Sequence, residues 1–185
     1  PWRIQHDKRN SSGLYFKTGQ RIMGQLEEKF GFVGKKGEEG EVFALTAWRN
    51  LGYEVIDYRY DIMKQKVGID YAIRKLKPTP WKRYYTVDNK NNLQYNKGEY
   101  TIPIEVTKGK RRPGWLHTSS ADRISHTHVK RKKLLYYDLG QMRTVVLPLL
   151  RSKELEPITA RSKCKIVYIQ ATDSRIAHLI RTIDA

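Results

Sequence analysis

The chain has 185 residues and one cysteine, Cys164. A lone cysteine excludes an internal disulfide and a cysteine-built zinc site. It fits a reducing compartment, and Cys164 itself reads as a small buried hydrophobe. No stretch approaches the roughly 18 to 20 continuous apolar residues of a membrane span, so no membrane partner is expected. The N-terminal segment is too polar and charged for a signal peptide, which makes an intracellular, cytoplasmic protein the expectation. Internal repeats and low-complexity tracts are missing. Acids are also scarce: 19 Asp and Glu stand against 36 Lys and Arg, a formal net charge of +17.

That surplus points to a polyanionic partner, because neutralising phosphates releases counterions and supplies most non-specific nucleic-acid affinity. Charge alone does not separate a protein that binds nucleic acid from one that cuts it. The length suits one domain with a core that stands without disulfides.

Residues 1–18 mix charges with Asn10-Ser11-Ser12-Gly13 and lack periodicity, reading as an arm that orders on a partner. A short helix is expected over 19–30. A clearer one runs from Glu38 to Leu51, is capped by Gly52, and turns Glu41, Ala44, Leu45, Trp48 and Leu51 inward. Strands are expected over Tyr53 to Tyr60 and Gly68 to Arg74. A hairpin follows: Trp81 to Val87 is one arm, Asp88-Asn89-Lys90-Asn91-Asn92 supplies turn chemistry, and the second arm leads into Ile102 to Thr107. Pro103 argues for an edge or a bulge.

Lys108 to Gly114 reads as a basic loop, and Ser119 or Ser120 as the cap of a short helix through His126. Leu134 to Leu139, Thr144 to Leu150 and Lys163 to Ala171 read as strands, and 174–183 as a final helix. The fold class is α/β, a central mixed β-sheet flanked by helices. An arm of 1–18 precedes a single domain of 19–185 with a hairpin insertion at about 81–101.

The most telling feature is a pair of acids in strand-like runs, Gly68-Ile69-Asp70-Tyr71-Ala72-Ile73 and Ile102-Pro103-Ile104-Glu105-Val106-Thr107. Side chains alternate along a strand, so Asp70 opposes Ile69 and Tyr71, and Glu105 opposes Ile104 and Val106. If the two strands pair, both carboxylates converge on one face. Converging carboxylates repel unless a cation lies between them, and hard oxygen ligands suit Mg²⁺ or Mn²⁺. A divalent metal in a strongly basic protein suggests phosphodiester chemistry.

Glu41 at the head of a helix, Gly52-Tyr53, Gly68-Ile69-Asp70 and Ile104-Glu105-Val106 occur in an order that resembles the PD-(D/E)XK nuclease superfamily. That group includes restriction enzymes, Holliday-junction resolvases and some homing endonucleases. The match covers roughly residues 37 to 108, with an echo at Trp115 to Ile124, where similar phage nucleases carry a Thr-Ser-x-Ala-Asp helix start. The resemblance implies a restriction-endonuclease-like core in a bacterial, phage or organellar protein. It implies that Asp70 and Glu105 coordinate the metal, with the Val106 carbonyl as a third ligand and Glu41 in support. The expected reaction is sequence-selective hydrolysis of double-stranded DNA by a homodimer or homotetramer. The alternatives are a non-catalytic DNA- or RNA-binding protein, a junction resolvase, or a ribonuclease on the same scaffold.

The family places Lys two residues after the second acid; this chain has Thr107 there and Lys108 one place later. A bulge near Pro103 or Gly109 would swing Lys108 in, or Lys64, Lys66 or Lys110 would supply the cation. Candidate phosphate contacts are Lys108, Lys110, Arg111 and Arg112 in the basic loop, Lys130, Arg131 and Lys132 in the later basic run, and Lys82 and Arg83 among aromatics. His117, His126 and His128 read as phosphate contacts or a solvated face rather than as a metal cluster.

Overall fold

Helix α1 forms where its apolar stripe places it. In the computed structural model, which describes residues 37–76, 83–109, 112–160 and 163–184, residues 37–50 are helical. Ala44, Leu45, Ala47 and Trp48 are buried, while the Gly52 N–H ends the helix by donating to the Arg49 carbonyl at 2.9 Å. Leu51, expected inside, is exposed, because the chain has already turned away at that point. The compact unit containing all of this spans Gly37–Ala185. The arm and the helix expected over 19–30 lie outside the described residues.

A six-stranded mixed sheet supports α1. Its order is β1 (Tyr53–Asp57), β2 (Tyr71–Lys75), β3 (Tyr85–Lys90), β7 (Arg123–His128), β8 (Lys133–Asp138) and β11 (Arg181–Asp184). Only the β3–β7 pair is parallel; the other neighbours run antiparallel. The α/β class holds. Val87, Tyr71, Ile73, Leu134 and Ile183 turn to α1 and pack around Trp48, whose ring meets Tyr53 and Tyr136 edge-on at 4.9 and 4.8 Å. Burying an aromatic of that size contributes about 2–3 kcal/mol from apolar area alone.

The opposite face packs against a second sheet and a long helix. The second sheet is ordered β4 (Gln94–Asn96), β5 (Glu99–Lys108), β10 (Lys165–Gln170) and β9 (Ile158–Thr159), with β6 (Arg112–Pro113) beside the end of β5. Helix α4 (Leu139–Arg151) adds Leu139, Met142 and Val146 to a core shared with Ile102, Ile104, Val167 and Ile169. Two short helices, α2 (Ile62–Lys66) and α3 (Trp115–Thr118), complete the unit. Among the described residues no helix is long and apolar enough to cross a membrane.

Several expectations give way. Asp88-Asn89-Lys90 is the end of β3 rather than a turn, so β3 and β5 form no hairpin and belong to different sheets. The segment after α3 is irregular, and His126 lies on β7 rather than in a helix. Residues 144–150 are helical: Leu139, Met142 and Val146 lie on one buried stripe, and core packing overrides the β-branched residues and Pro148. The expected C-terminal helix is instead a 3₁₀ turn at Ala177–Leu179 followed by β11. Pro103 does meet its expectation. It pairs with β10 on one side, while on the other β4 reaches only Thr101 and β6 begins at Thr107, so no ladder donor is lost there.

Candidate active site

Asp70 lies just before β2 of the six-stranded sheet and Glu105 on β5 of the second, and the strand pairing that would have brought their carboxylates together does not form. The neighbour of Asp70 is Asp88. Tyr71 pairs with Val87 across β2 and β3, so Asp70 and Asp88 occupy the next position of that register. The Asp70 N–H donates to the Val87 carbonyl at 2.9 Å, and the Asn89 N–H donates to Asp70 Oδ2 at 2.6 Å. Asp70 and Asp88 are both buried, at 7% and 2% exposure.

Each acid is held by a different neighbour. Gln65 on α2 donates through Nε2 to Asp70 Oδ1 at 2.8 Å, so the short helix between β1 and β2 sets that carboxylate. Asp61 caps α2 by accepting from the Met63 and Lys64 N–H groups. Lys90 lies two residues after Asp88, on the same face of β3, and its Nζ meets Asp88 Oδ1 at 2.5 Å. Asp88 Oδ2 is buried with no hydrogen-bond partner; Ser119, the hydroxyl beside it, donates to the Gly68 carbonyl at 3.2 Å. A Cβ on Gly68 would come within 3.1 Å of both Asp88 Oδ2 and Ser119 Oγ, and its φ of +72° is left-handed. Glycine at 68 therefore answers both a backbone and a space requirement.

The electrostatics follow from this burial. Desolvation lifts the Asp88 carboxyl to about 6, opposed by the Lys90 ammonium and reinforced by the Asp70 carboxylate. Glu41 on α1 is half-buried at the margin of the same site. Its pKa is raised, first by burial and next by the Asp70 charge. Gly40 lets the helix come this close, since a Cβ there would lie 2.3 Å from the Asn91 side chain. Glu41, Asp70 and Asp88 thus form a line of acids in which each neighbouring pair repels.

No family model, curated protein or solved structure matches the chain. The site is therefore read from its own chemistry. Among the described residues no three His, Cys, Asp or Glu side chains gather as a metal-holding group, so an ion here would rest on two aspartates plus backbone or water oxygens, as Mg²⁺ commonly does. The residues fit such an ion: a buried carboxylate oxygen without a donor lies beside a second carboxylate that repels it.

The sequence pattern does not mark Asp88, Asn89, Lys90, Gln65 or Ser119 as site residues. The available signal was acid-x-Lys directly after the strand-like Tyr84-Tyr85-Thr86-Val87. Glu105, Val106 and Thr107 sit half-buried on β5. There the register with β10 skips Val106, pairing Ile166 with Glu105 and Lys165 with Thr107. The bulge falls at Val106, between the two positions expected for it, and Glu105 and Lys108 line one cavity together with Lys90.

The histidines separate. His117 is exposed and His128 half-exposed, but His126 is fully buried beside Lys90 in the β3–β7 register. Its Nδ1 meets Asn92 Oδ1 at 2.8 Å and its Nε2 the Tyr137 hydroxyl at 2.9 Å. An amide oxygen only accepts, so Nδ1 carries the proton and Nε2 accepts from Tyr137. Burial and the nearby Lys90 charge lower its pKa to about 3. His126 is a neutral packing residue, and the expectation of a phosphate contact fails for it.

Of the candidate phosphate contacts, Lys82, Lys110 and Arg111 lie outside the described residues. Arg83, Lys108, Arg112, Lys130, Arg131 and Lys132 are exposed. Arg131 lies 3.6 Å above the Tyr95 ring and Arg83 4.7 Å above that of Tyr85. Cys164 is buried as expected.

Proposed function

We propose that the protein is a divalent-metal-dependent endonuclease hydrolysing phosphodiester bonds in double-stranded DNA, with Asp70 and the run Asp88-Asn89-Lys90 as its chemical centre. The observation that carries this reading is the juxtaposition of two buried aspartates, Asp70 just before β2 and Asp88 on the adjacent β3, with a lysine two residues after the second. This is the acid-x-Lys spacing of the PD-(D/E)XK pattern, which Glu105-Val106-Thr107 lacks. The strand order supports it too: an antiparallel run β1-β2-β3 continues into a parallel β7, with Asp70 just before β2 and Asp88 near the end of β3.

In this reading Asp70 and Asp88 hold Mg²⁺ or Mn²⁺, and the Asn89 carbonyl takes the place first assigned to Val106. A divalent ion held there supplies charge neutralisation at the phosphate and eases deprotonation of the attacking water. Gln65 orients the Asp70 carboxylate. Lys90 orients the attacking water and balances charge on the phosphate. Glu41 raises the negative potential that draws the cation in. The exposed bases hold the DNA backbone without reading sequence, and a second copy of the chain would serve the second strand.

The test is nicking of supercoiled plasmid with Mg²⁺ or Mn²⁺. Wild type is compared with Asp70→Asn, Asp88→Asn and Lys90→Ala, with Glu156→Gln as control. Each of the three site variants is expected to lose more than about a hundredfold in rate while retaining DNA affinity. A wild-type protein that binds DNA or RNA tightly but nicks neither under any metal would overturn the enzyme and leave a nucleic-acid-binding protein.

A further inference from the structure

A cavity of about 270 Å³ opens beside Lys90 and against β5. Its walls are apolar at Pro103, Pro113 and Trp115, and its charged groups are Lys90, Glu105 and Lys108. The β5 bulge turns Glu105 and Lys108 toward the same space. The chain after β6 then presses on Glu105: a Cβ on Gly114 would lie 2.3 Å from the Glu105 carbonyl oxygen and 2.9 Å from its Cγ. The Gly114 N–H fixes that approach by donating to the Val106 carbonyl at 2.9 Å. Trp115 is held from behind, its ring 5.8 Å from that of His126.

The mixture of groups limits what fits. A simple anion would meet the Glu105 carboxylate, a metal cation would meet two ammonium groups, and an uncharged apolar ligand would leave Glu105 and Lys108 unanswered, Lys90 being already paired with Asp88. A nucleotide satisfies all of them. Its phosphate suits the lysines, its base lies on apolar walls, and the edge of the base faces a carboxylate that only accepts hydrogen bonds. Guanine is the base whose Watson–Crick edge offers two adjacent donors, N1–H and the 2-amino group, to one carboxylate. The volume lies near the lower end for ligand pockets, roughly 300 Å³.

We infer that this cavity is a nucleotide subsite that takes an unstacked guanine, with Glu105 reading the base edge and Lys108 and Lys90 holding the phosphate. Its placement next to a scissile phosphate rests on the endonuclease reading through Lys90. The binding itself does not. Extrusion of a base costs a few kcal/mol of stacking and pairing and is recovered in a fitted pocket, so the subsite would add base selectivity to a backbone-held duplex.

The test titrates the full chain, without divalent metal, with each of the four deoxynucleoside 5′-monophosphates and with inorganic phosphate. Binding is followed by calorimetry and by NMR shifts of the tryptophan side chains. dGMP is expected to saturate and to bind about tenfold more tightly than dTMP. Glu105→Gln, nearly the same shape, is expected to remove that preference. Lys108→Ala is expected to weaken all four by about threefold and leave their order intact. Circular dichroism of both variants checks the fold. Failure of any nucleotide to saturate, equal binding of all four, inorganic phosphate binding as well as dGMP, or a preference unchanged in Glu105→Gln would each overturn the subsite. Plasmid nicking is scored separately, so guanine preference without nicking sinks only the endonuclease, and nicking without guanine preference sinks only the subsite.

Discussion

The two sheets treat their acidic strand residues in opposite ways. In the six-stranded sheet Asp70 and Asp88 lie side by side under cover, one oxygen of Asp88 meets no donor, and burial raises its pKa to about 6. In the second sheet Glu105 stands half-buried at the rim of a cavity. A strand that leaves its acid at a rim risks little, whereas one that buries two adjacent carboxylates carries a cost of several kcal/mol unless a cation joins them. The fold is least relaxed where Asp70 and Asp88 meet.

The largest effect belongs to the metal. Calorimetric titration with Mn²⁺ is expected to show affinity falling more than about tenfold in Asp88→Asn and Asp70→Asn, while Glu105→Gln stays within about twofold. If Glu105→Gln lost the metal and Asp88→Asn kept it, the contrast would be reversed and the centre would belong to β5.

Acid titration of stability probes the buried histidine on the same sheet. His126 has a folded pKa of about 3 against an ordinary 6.5, so the unfolded chain binds the proton first. Stability present above pH 6.5 is therefore lost as pH falls toward 3, by about 2–3 kcal/mol between pH 6.5 and 4.5. Urea unfolding of wild type and His126→Gln at several pH values reads this directly: the slope should flatten in the variant.

Asp88 works with the opposite sign. Its folded pKa is raised from 3.8 to about 6, so the folded state binds the proton first and stability declines as pH rises from 3.8 through 6. Asp88→Asn should accordingly be more stable than wild type at pH 7 by about 1–2 kcal/mol, with the gain gone at pH 4. Thermal melts at the two pH values decide it. A variant less stable at both would mean that the Lys90 contact outweighs the burial of the carboxylate. Glu105→Gln is the smallest of the set, expected within about 0.5 kcal/mol at either pH.

Much of the first layer was legible because its signals were redundant. Helix α1 carried both a 3.6-residue stripe and a terminal glycine, and Asp70 sat in an apolar alternation that marks a strand. Asp88-Asn89-Lys90 was not legible as strand, since Asp, Asn and Lys are depleted there and enriched in turns. The local preference is overridden because β7 pairs with all three residues and, on the other side, the Asp70 carboxylate takes the Asn89 N–H. Places where local preference and tertiary structure disagree are where functional residues are expected. Glu105 had the reverse problem: its strand was easy to read, but no local signal told that β5 would leave the central sheet for a second one.

One line of hydrogen bonds reaches the site from afar. Trp48 Nε1 donates to the Tyr71 hydroxyl at 3.0 Å, which meets Ser125 Oγ at 2.8 Å, and Ser125 donates to Asn89 Oδ1 at 2.7 Å. An indole only donates, and Ser125 spends its one hydrogen on Asn89 Oδ1, so Tyr71 donates to Ser125 and the line runs in a single sense from Trp48 to Asn89. The side chain of the strand residue between Asp88 and Lys90 is thereby tied to the helix that carries Trp48. For anyone redesigning this protein, Trp48, Tyr71, Ser125 and Asn89 are one word of four letters, to be exchanged together rather than singly.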